Sequence, residues 1–341
     1  MLVLGLETSC DETSAALVRD GSEVLTNVVA SQVDLHCAYG GVVPEIAARA
    51  HVETLVPVLS EALQGSPGPI DLVAVTAGPG LVGSLVVGVA GAKALAWAWE
   101  VPLVAVNHLE AHIFAPMCEG TLPEVPFLAC VVSGGHTLLA EVRGVDDIEV
   151  LGQTLDDALG EAYDKVAKFL GLGYPGGPII DEMSAGGDPR AVAFPRAMIS
   201  SGDLNFSLSG LKTAVIRYVA KVKESGGSLP PTEDIVASFQ AAALEVVVRK
   251  TVLAARERGL GSVVLGGGVA CNRSLRRMME EAGREEGLEV VFPSAVLCTD
   301  NAAMVAASGY LKNDAGFCAG LELEAEPSLA PGGRIPGEGR F

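Results

Sequence analysis

Paired cysteines are missing from this chain of 341 residues: the seven present (10, 37, 118, 130, 271, 298 and 318) are odd in number, include no Cys-x-x-Cys and sit mostly in apolar segments. That argues against a disulfide framework or a local thiolate metal cage and predicts buried, reduced thiols in a cytosolic protein. Charge is also scarce. Only 19% of residues are charged against 49% hydrophobic, which excludes a disordered chain, and the length suffices for two domains with full cores. The opening MLVLGLETSCDET has no basic n-region, so no signal peptide is expected. One uncharged run, residues 72–92, has the length of a membrane span, but a Gly-Pro-Gly turn after LVAVTA divides it into a buried strand and a buried glycine-rich helix.

Positive charge is the scarcer sign, with 23 Lys and Arg against 42 Asp and Glu. The shortage is uneven: residues 1–110 hold 3 basic and 12 acidic side chains, whereas residues 160–277 hold 15 and 11. A basic sector on an acidic protein permits a nucleic-acid contact, because local patches set the field at a binding face. Lys165, Lys168, Arg190, Arg196, Lys212, Arg273, Arg276 and Arg277 are the residues that would supply it.

Strands are expected at 2–6, 14–19, 23–29, 71–76 and 102–106, with helices over 42–64, 81–99 and the segment following 107. The pattern restarts with strands at 127–132, 137–143 and 148–152. A glycine-proline loop over 171–178 and helices near 156–170, 207–223 and 232–258 follow, then a strand passing through three glycines into a helix. VLGLETSCDETSAALV and LACVVSGGHTLLAEV echo one another as strand, turn of small and hydroxyl residues, and strand. Such a duplication predicts two related α/β lobes with a ligand cleft between them. The expected division is an N-terminal lobe over 1–125 completed by a C-terminal helix at about 300–323, a C-terminal lobe over 126–299, and a mobile Pro/Gly-rich tail over 324–341.

SGGHT (133–137) is a turn whose glycines let amide groups approach a phosphate, with hydroxyl donors at Ser133 and Thr137. ETSCDET (7–13) is a similar turn carrying Glu7, Asp11 and Glu12, acids that repel a bare phosphate but suit holding a cation or accepting a proton. LGGGVACN (265–272) lets the chain pass flat against a base or sugar, with Asn272 near a helix start; it lacks the G-x-G-x-x-G spacing of a dinucleotide site. His108 and His112 in NHLEAH stand four apart, on one face of a helix. The acid of that motif is at Glu110, with Leu109 where a zinc protease has its base, so protease chemistry is not expected. Asp300 in CTDN is the best third ligand, and two histidines with a carboxylate suit iron or zinc.

GLETSCDETSAALV, YGGVVPEIAARAHV, TAGPGLVGSLVVG, NHLEAH, VVSGGHT, GEAYDKVAKFLGLGYPGGP, FSLSGLKTA, GGGVACNRSLR and CTDNAAMVA occur in this order over nearly the whole chain. In combination they closely resemble the TsaD family of tRNA N6-adenosine threonylcarbamoyltransferases, formerly described as O-sialoglycoprotein endopeptidases. The resemblance implies an actin-like, sugar-kinase-like (ASKHA) α/β fold of two RNase H-like lobes with an interlobe nucleotide cleft. It also implies transfer of the threonylcarbamoyl group from threonylcarbamoyl-adenylate to N6 of adenosine 37 in tRNAs reading ANN codons, releasing AMP. By motif it assigns His108, His112 and Asp300 to one Fe(2+) or Zn(2+), and Val131, Val132, Ser133, Gly134, Gly135, Asp164, Gly177, Asp181 and Asn272 to the adenylate. Asn107 stands where some relatives carry a further histidine, with little consequence expected.

Adenine N6 is a poor nucleophile, so Asp11 and Glu12 are the acids expected to help remove its proton. The resemblance further implies a cytoplasmic enzyme working with TsaB and TsaE on an adenylate made by TsaC, with no membrane and a homodimer open to the chain alone. The acid-poor helix over 41–63 is the expected TsaB face. A phosphotransferase of the same fold or a non-catalytic ATP-binding scaffold are the alternatives, and neither needs HLEAH.

Overall fold

LVLGLE is apolar at every position but its last, too continuous for a strand with one wet face, and it forms β1 (Leu2–Glu7), buried throughout. The computed structural model describes residues 1–340. After β1 come β2 (Glu12–Arg19), β3 (Glu23–Ser31), α1 (Val33–Cys37), α2 (Pro44–Gln64), β4 (Leu72–Gly78), α3 (Val82–Trp99), β5 (Leu103–Asn107) and α4 (His108–Phe114). The second series is β6 (Phe127–Val132), β7 (Thr137–Gly144), β8 (Asp147–Gln153), α5 (Leu159–Leu170), α6 (Gly176–Ser184), α7 (Ser209–Glu224), α8 (Thr232–Arg258), β9 (Ser262–Gly266), α9 (Arg273–Glu286) and β10 (Glu289–Val291). The short α10 (Ala295–Cys298), α11 (Ala302–Asp314), β11 (Phe317–Ala319) and β12 (Glu338–Arg340) complete the chain.

Seven strands form one sheet in the order β12-β11-β5-β4-β1-β2-β3, and five form another in the order β10-β9-β6-β7-β8. Without β11 and β12, both sheets have the same order: a hairpin-led strand at the centre, its hairpin on one side and two parallel strands on the other. The echo read between the two halves of the sequence is this repeated topology, an α/β fold of the actin-like type. One compact unit comprises Met1–Val125, Val142–Glu149 and the chain from Pro293 onward; the other comprises Pro126–Glu141 and Val150–Phe292.

In the first unit, alternate side chains of β1 leave the sheet on opposite faces. Leu2, Leu4 and Leu6 pack with Leu55 and Leu59 of α2 and Val89 of α3, while Val3 packs with Ala111 of α4 and Ala303 and Met304 of α11. The approach of α11 is close enough to require glycine: a Cβ on Gly5 would lie 2.2 Å from the Ala302 carbonyl oxygen, and one on Gly309 would lie 2.3 Å from Ala74 Cβ.

Three expectations are corrected. α3 is not a buried helix, because the sheet and α2 cover only one side of it. Only 33% of it is buried, and Val82, Val86 and Trp97 are exposed. Residues 324–340 are not a mobile tail but a strap on the first unit. Leu329 and Ile335 are buried, the Glu326 N–H donates to the Ala77 carbonyl, and β12 pairs with β11. The loop read over 171–178 is shorter, since α6 begins at Gly176, inside the glycine-proline run.

Candidate functional site

β5 ends at Asn107 and α4 begins at the next residue. A seven-residue helix has little stability of its own, so its ends decide its place. Asn107 Oδ1 accepts the Leu109 and Glu110 N–H groups at 2.8 and 3.3 Å, and its Nδ2 donates to the Ala330 carbonyl of the strap at 3.0 Å. Asn107 therefore ties the start of α4 to the strap. Glu110 turns away toward the strap, where its carboxylate accepts the Gly332 N–H; burial raises its pKa to about 7.

His108 and His112 leave the same face of α4, with ring centroids 4.8 Å apart. Asp300 lies just before Asn301, whose side chain caps α11 by accepting the Met304 N–H. That cap places Asp300 Oδ1 3.1 Å from His112 Nε2 and 3.6 Å from His108 Nε2. One ligand atom from each of the three residues lies within 4.8 Å of the others. Burial by itself would lower the pKa of His108, but the Asp300 and Glu7 carboxylates outweigh it and raise it to about 9. The pocket thus favours a positive charge, and two imidazole nitrogens with a carboxylate oxygen make a donor set that fits a divalent cation.

The two acids expected to act on a proton follow β1, and Glu12 is near enough to Asp300 to feel its charge. Asp11 ends the turn after β1, and Glu12 opens β2, where its carboxylate accepts the Ser31 hydroxyl at 3.1 Å. Burial, with the Asp300 and Asp11 carboxylates beside it, raises the pKa of Glu12 to about 9, so Glu12 holds its proton at neutral pH. Glu7, read from sequence as one more acid of the turn, is instead the fully buried last residue of β1. Its place at the end of an apolar run was the signal available in the sequence.

The second unit brings its own predicted residues together. Val131 and Val132 end β6, and the turn of Ser133, Gly134 and Gly135 follows. Gly160 at the start of α5 lies against that turn, where a Cβ would come within 2.8 Å of Gly134 Cα. Gly267, at φ +88°, passes Val132 so closely that a Cβ would sit 2.4 Å from its carbonyl oxygen. By contrast, Gly134, Gly135, Gly177 and Gly268 have nothing within 4 Å of an added Cβ, leaving room for a ligand beside bare backbone.

Asp164 Oδ1 accepts the Gly176 N–H at 2.7 Å, which fixes the start of α6. On α6, Asp181 takes Arg273 Nε on Oδ2 at 2.8 Å, while its Oδ1 is buried with no partner. Asn272 caps α9 by accepting the Leu275 N–H and donates to Gln240 Oε1 at 2.8 Å. Gln240, 32 residues away, was invisible to local pattern reading. Of the basic residues considered for nucleic acid, Lys165 and Lys212 pair with Asp157, Arg196 with Glu245 and Arg273 with Asp181, so much of that charge is internally committed.

A family model described as TsaD, tRNA N6-adenosine threonylcarbamoyltransferase, matches residues 23–307. Proteins named tRNA N6-adenosine threonylcarbamoyltransferase from Syntrophotalea carbinolica and Geotalea daltonii are each 52% identical, the first over 95% of both chains and the second over 96% of both. One from Geobacter sulfurreducens is 53% identical over 95% of this chain and 96% of its own. Among solved structures, HypF from T. kodakarensis superposes with a TM-score of 0.61 at 16% identity, covering 92% of this chain and 48% of that one. The activator of the 2-hydroxyisocaproyl-CoA dehydratase from Clostridium difficile, with bound ADPNP, gives a TM-score of 0.54 at 14% identity, covering 92% and 96%. At these identities the structures share the fold alone.

Proposed function

The chain belongs to the TsaD family and is a transferase forming threonylcarbamoyladenosine on tRNA, and we propose that it moves the threonylcarbamoyl group from threonylcarbamoyl-adenylate to N6 of adenosine 37 in tRNAs reading ANN codons. In that reaction N6 bonds to the carbamoyl carbon, the bond from that carbon to the phosphate oxygen breaks, and AMP leaves. The grouping of His108, His112 and Asp300 around one point carries the reading beyond family membership. Bound there, an iron or zinc ion would supply Lewis-acid polarisation of the carbamoyl carbonyl.

The remaining roles fall to the chain's own side chains. Asp11 and Glu12 are the acids that help take the N6 proton. The backbone of residues 131–135 and the open glycines Gly177 and Gly268 cradle the adenylate, with Asn272 beside them. The unpartnered Asp181 Oδ1 accepts a ribose hydroxyl, and Asp164 keeps the Gly176 turn in place. With so weak a nucleophile, positioning supplies most of the rate.

The exposed face of α3 (Val82, Val86, Trp97), together with Val52 and Val56 of α2, forms an apolar surface suited to a protein partner, and TsaB is the occupant proposed. TsaE completes the working assembly and TsaC supplies the adenylate, all in the cytoplasm where tRNA is modified. The test is transfer of labelled threonine from preformed threonylcarbamoyl-adenylate into unmodified tRNA, with TsaB and TsaE present. The wild-type chain should transfer, and the H108A/H112A double variant should lose both transfer and bound metal. Transfer retained without metal would overturn the metal role; no transfer by the wild type would overturn the reaction.

A further inference from the structure

Glu7 is a carboxylate with no access to water: its exposure is 0%, and it sits at the end of β1 beside β4. A charge in such a place persists only if donors satisfy it, and Glu7 has three. One oxygen accepts the Ser9 N–H; the other accepts the Thr76 hydroxyl at 2.6 Å and faces His108 Nδ1 at 3.0 Å. The Ser9 hydroxyl lies 3.2 Å from the same Nδ1. His112 has no counterpart, since its Nδ1 is buried without a partner.

We infer that Glu7 is a positioning residue for the metal centre: by accepting the Nδ1–H of His108 it keeps Nε2 of that ring facing Asp300 as the nitrogen that ligates once its own proton is displaced. The inference rests on reading His108, His112 and Asp300 as metal ligands. A neutral imidazole has one N–H, and whichever nitrogen carries it cannot ligate. Glu7 is an obligate acceptor when ionised, so it selects the tautomer with hydrogen on Nδ1 and also restricts rotation of the ring.

Glutamine, although the same size, cannot do this. Ser9 N–H and His108 Nδ1–H approach different oxygens of the carboxylate, whereas an amide offers one accepting oxygen. If that oxygen faces Ser9, the amide NH2 faces His108. The ring must then turn its Nδ1 lone pair inward and carry hydrogen on Nε2, where the metal has to bind. If the amide is reversed, the buried Ser9 N–H meets a donor.

The experiment uses the full chain and Zn2+ as probe, with three readouts. Chelator competition should show E7Q binding Zn2+ about 10- to 100-fold more weakly than wild type. T76V, which removes one donor to Glu7 but leaves the contact with His108, should bind within about threefold of wild type, whatever its melting temperature. Ring 15N NMR of the loaded wild-type protein should show His108 with hydrogen on Nδ1 and zinc on Nε2. A folded E7Q with wild-type affinity overturns the inference, as does a wild-type His108 ligating through Nδ1. The NMR result decides the matter if E7Q fails to fold. H112A serves as the separate control: should it keep full Zn2+ affinity, the metal-centre reading itself fails, and the role of Glu7 with it.

Discussion

His108 carries its proton up to about pH 9 in the metal-free chain, held there by the Asp300 and Glu7 carboxylates against the effect of burial. A metal entering on Nε2 must displace that proton. Apparent Zn2+ affinity should therefore rise by about tenfold per pH unit through the neutral range and level off above about pH 9. Chelator competition at three pH values between 6.5 and 9.5 checks the slope, and a flat profile would mean that His108 is not a ligand. Asp156 has the opposite sign. Burial opposes its charge, but the Ser207 and Ser209 hydroxyls and the Leu208 and Ser209 N–H groups outweigh that and lower its pKa to about 2. Its folded value lies below the unfolded value of about 3.9, so its contribution is present above pH 4 and lost as pH falls toward 2. D156N should flatten the fall of melting temperature between pH 4 and pH 2. The histidine pair was legible because ligand spacing on a helix is local. Glu7 was not, because its partners Thr76 and His108 are 69 and 101 residues away.

α11 and β1 are in backbone contact, so the element that carries Asp300 to the histidines tolerates no added volume beneath it. G5A would drive a methyl group into the Ala302 carbonyl at the first turn of α11. The expected cost is about 1–3 kcal/mol, read as a lower urea midpoint at unchanged slope, with weaker Zn2+ binding from the displaced Asp300. Wild-type stability in G5A would show that α11 sits further from the sheet. The long strands and α2 and α8 could be read from their apolar patterns. α3 could be located but not oriented, since a helix of Val, Gly, Ala and Trp shows no polar face to mark solvent. The strap escaped because its strand β12 is three residues long and its hold on α4 comes from main-chain groups, the Ala330 carbonyl and the Gly332 N–H, which no side-chain pattern reports.

Over the whole molecule, the repeated strand order was visible in the paired hairpin signatures, because both halves had to solve the same packing problem with similar residues. The apolar face of α2 and α3 gives a prediction at this scale. V86D/W97D places two charges on exposed positions and should leave the melting temperature within a few degrees, yet abolish co-elution in size-exclusion chromatography with TsaB, the partner proposed for this face. Co-elution at wild-type strength would remove this face as the docking surface. The same partition of the chain orders events during synthesis. The second unit is closed by residue 292, whereas the first still lacks α11, β11 and the strap at that point. With the ribosome adding about 5–20 residues per second, the unit encoded in the middle can finish folding before the one that began first. The first unit's early strands must wait, incompletely covered, for their last helix, which makes them the stretch of the nascent chain with most need of a chaperone.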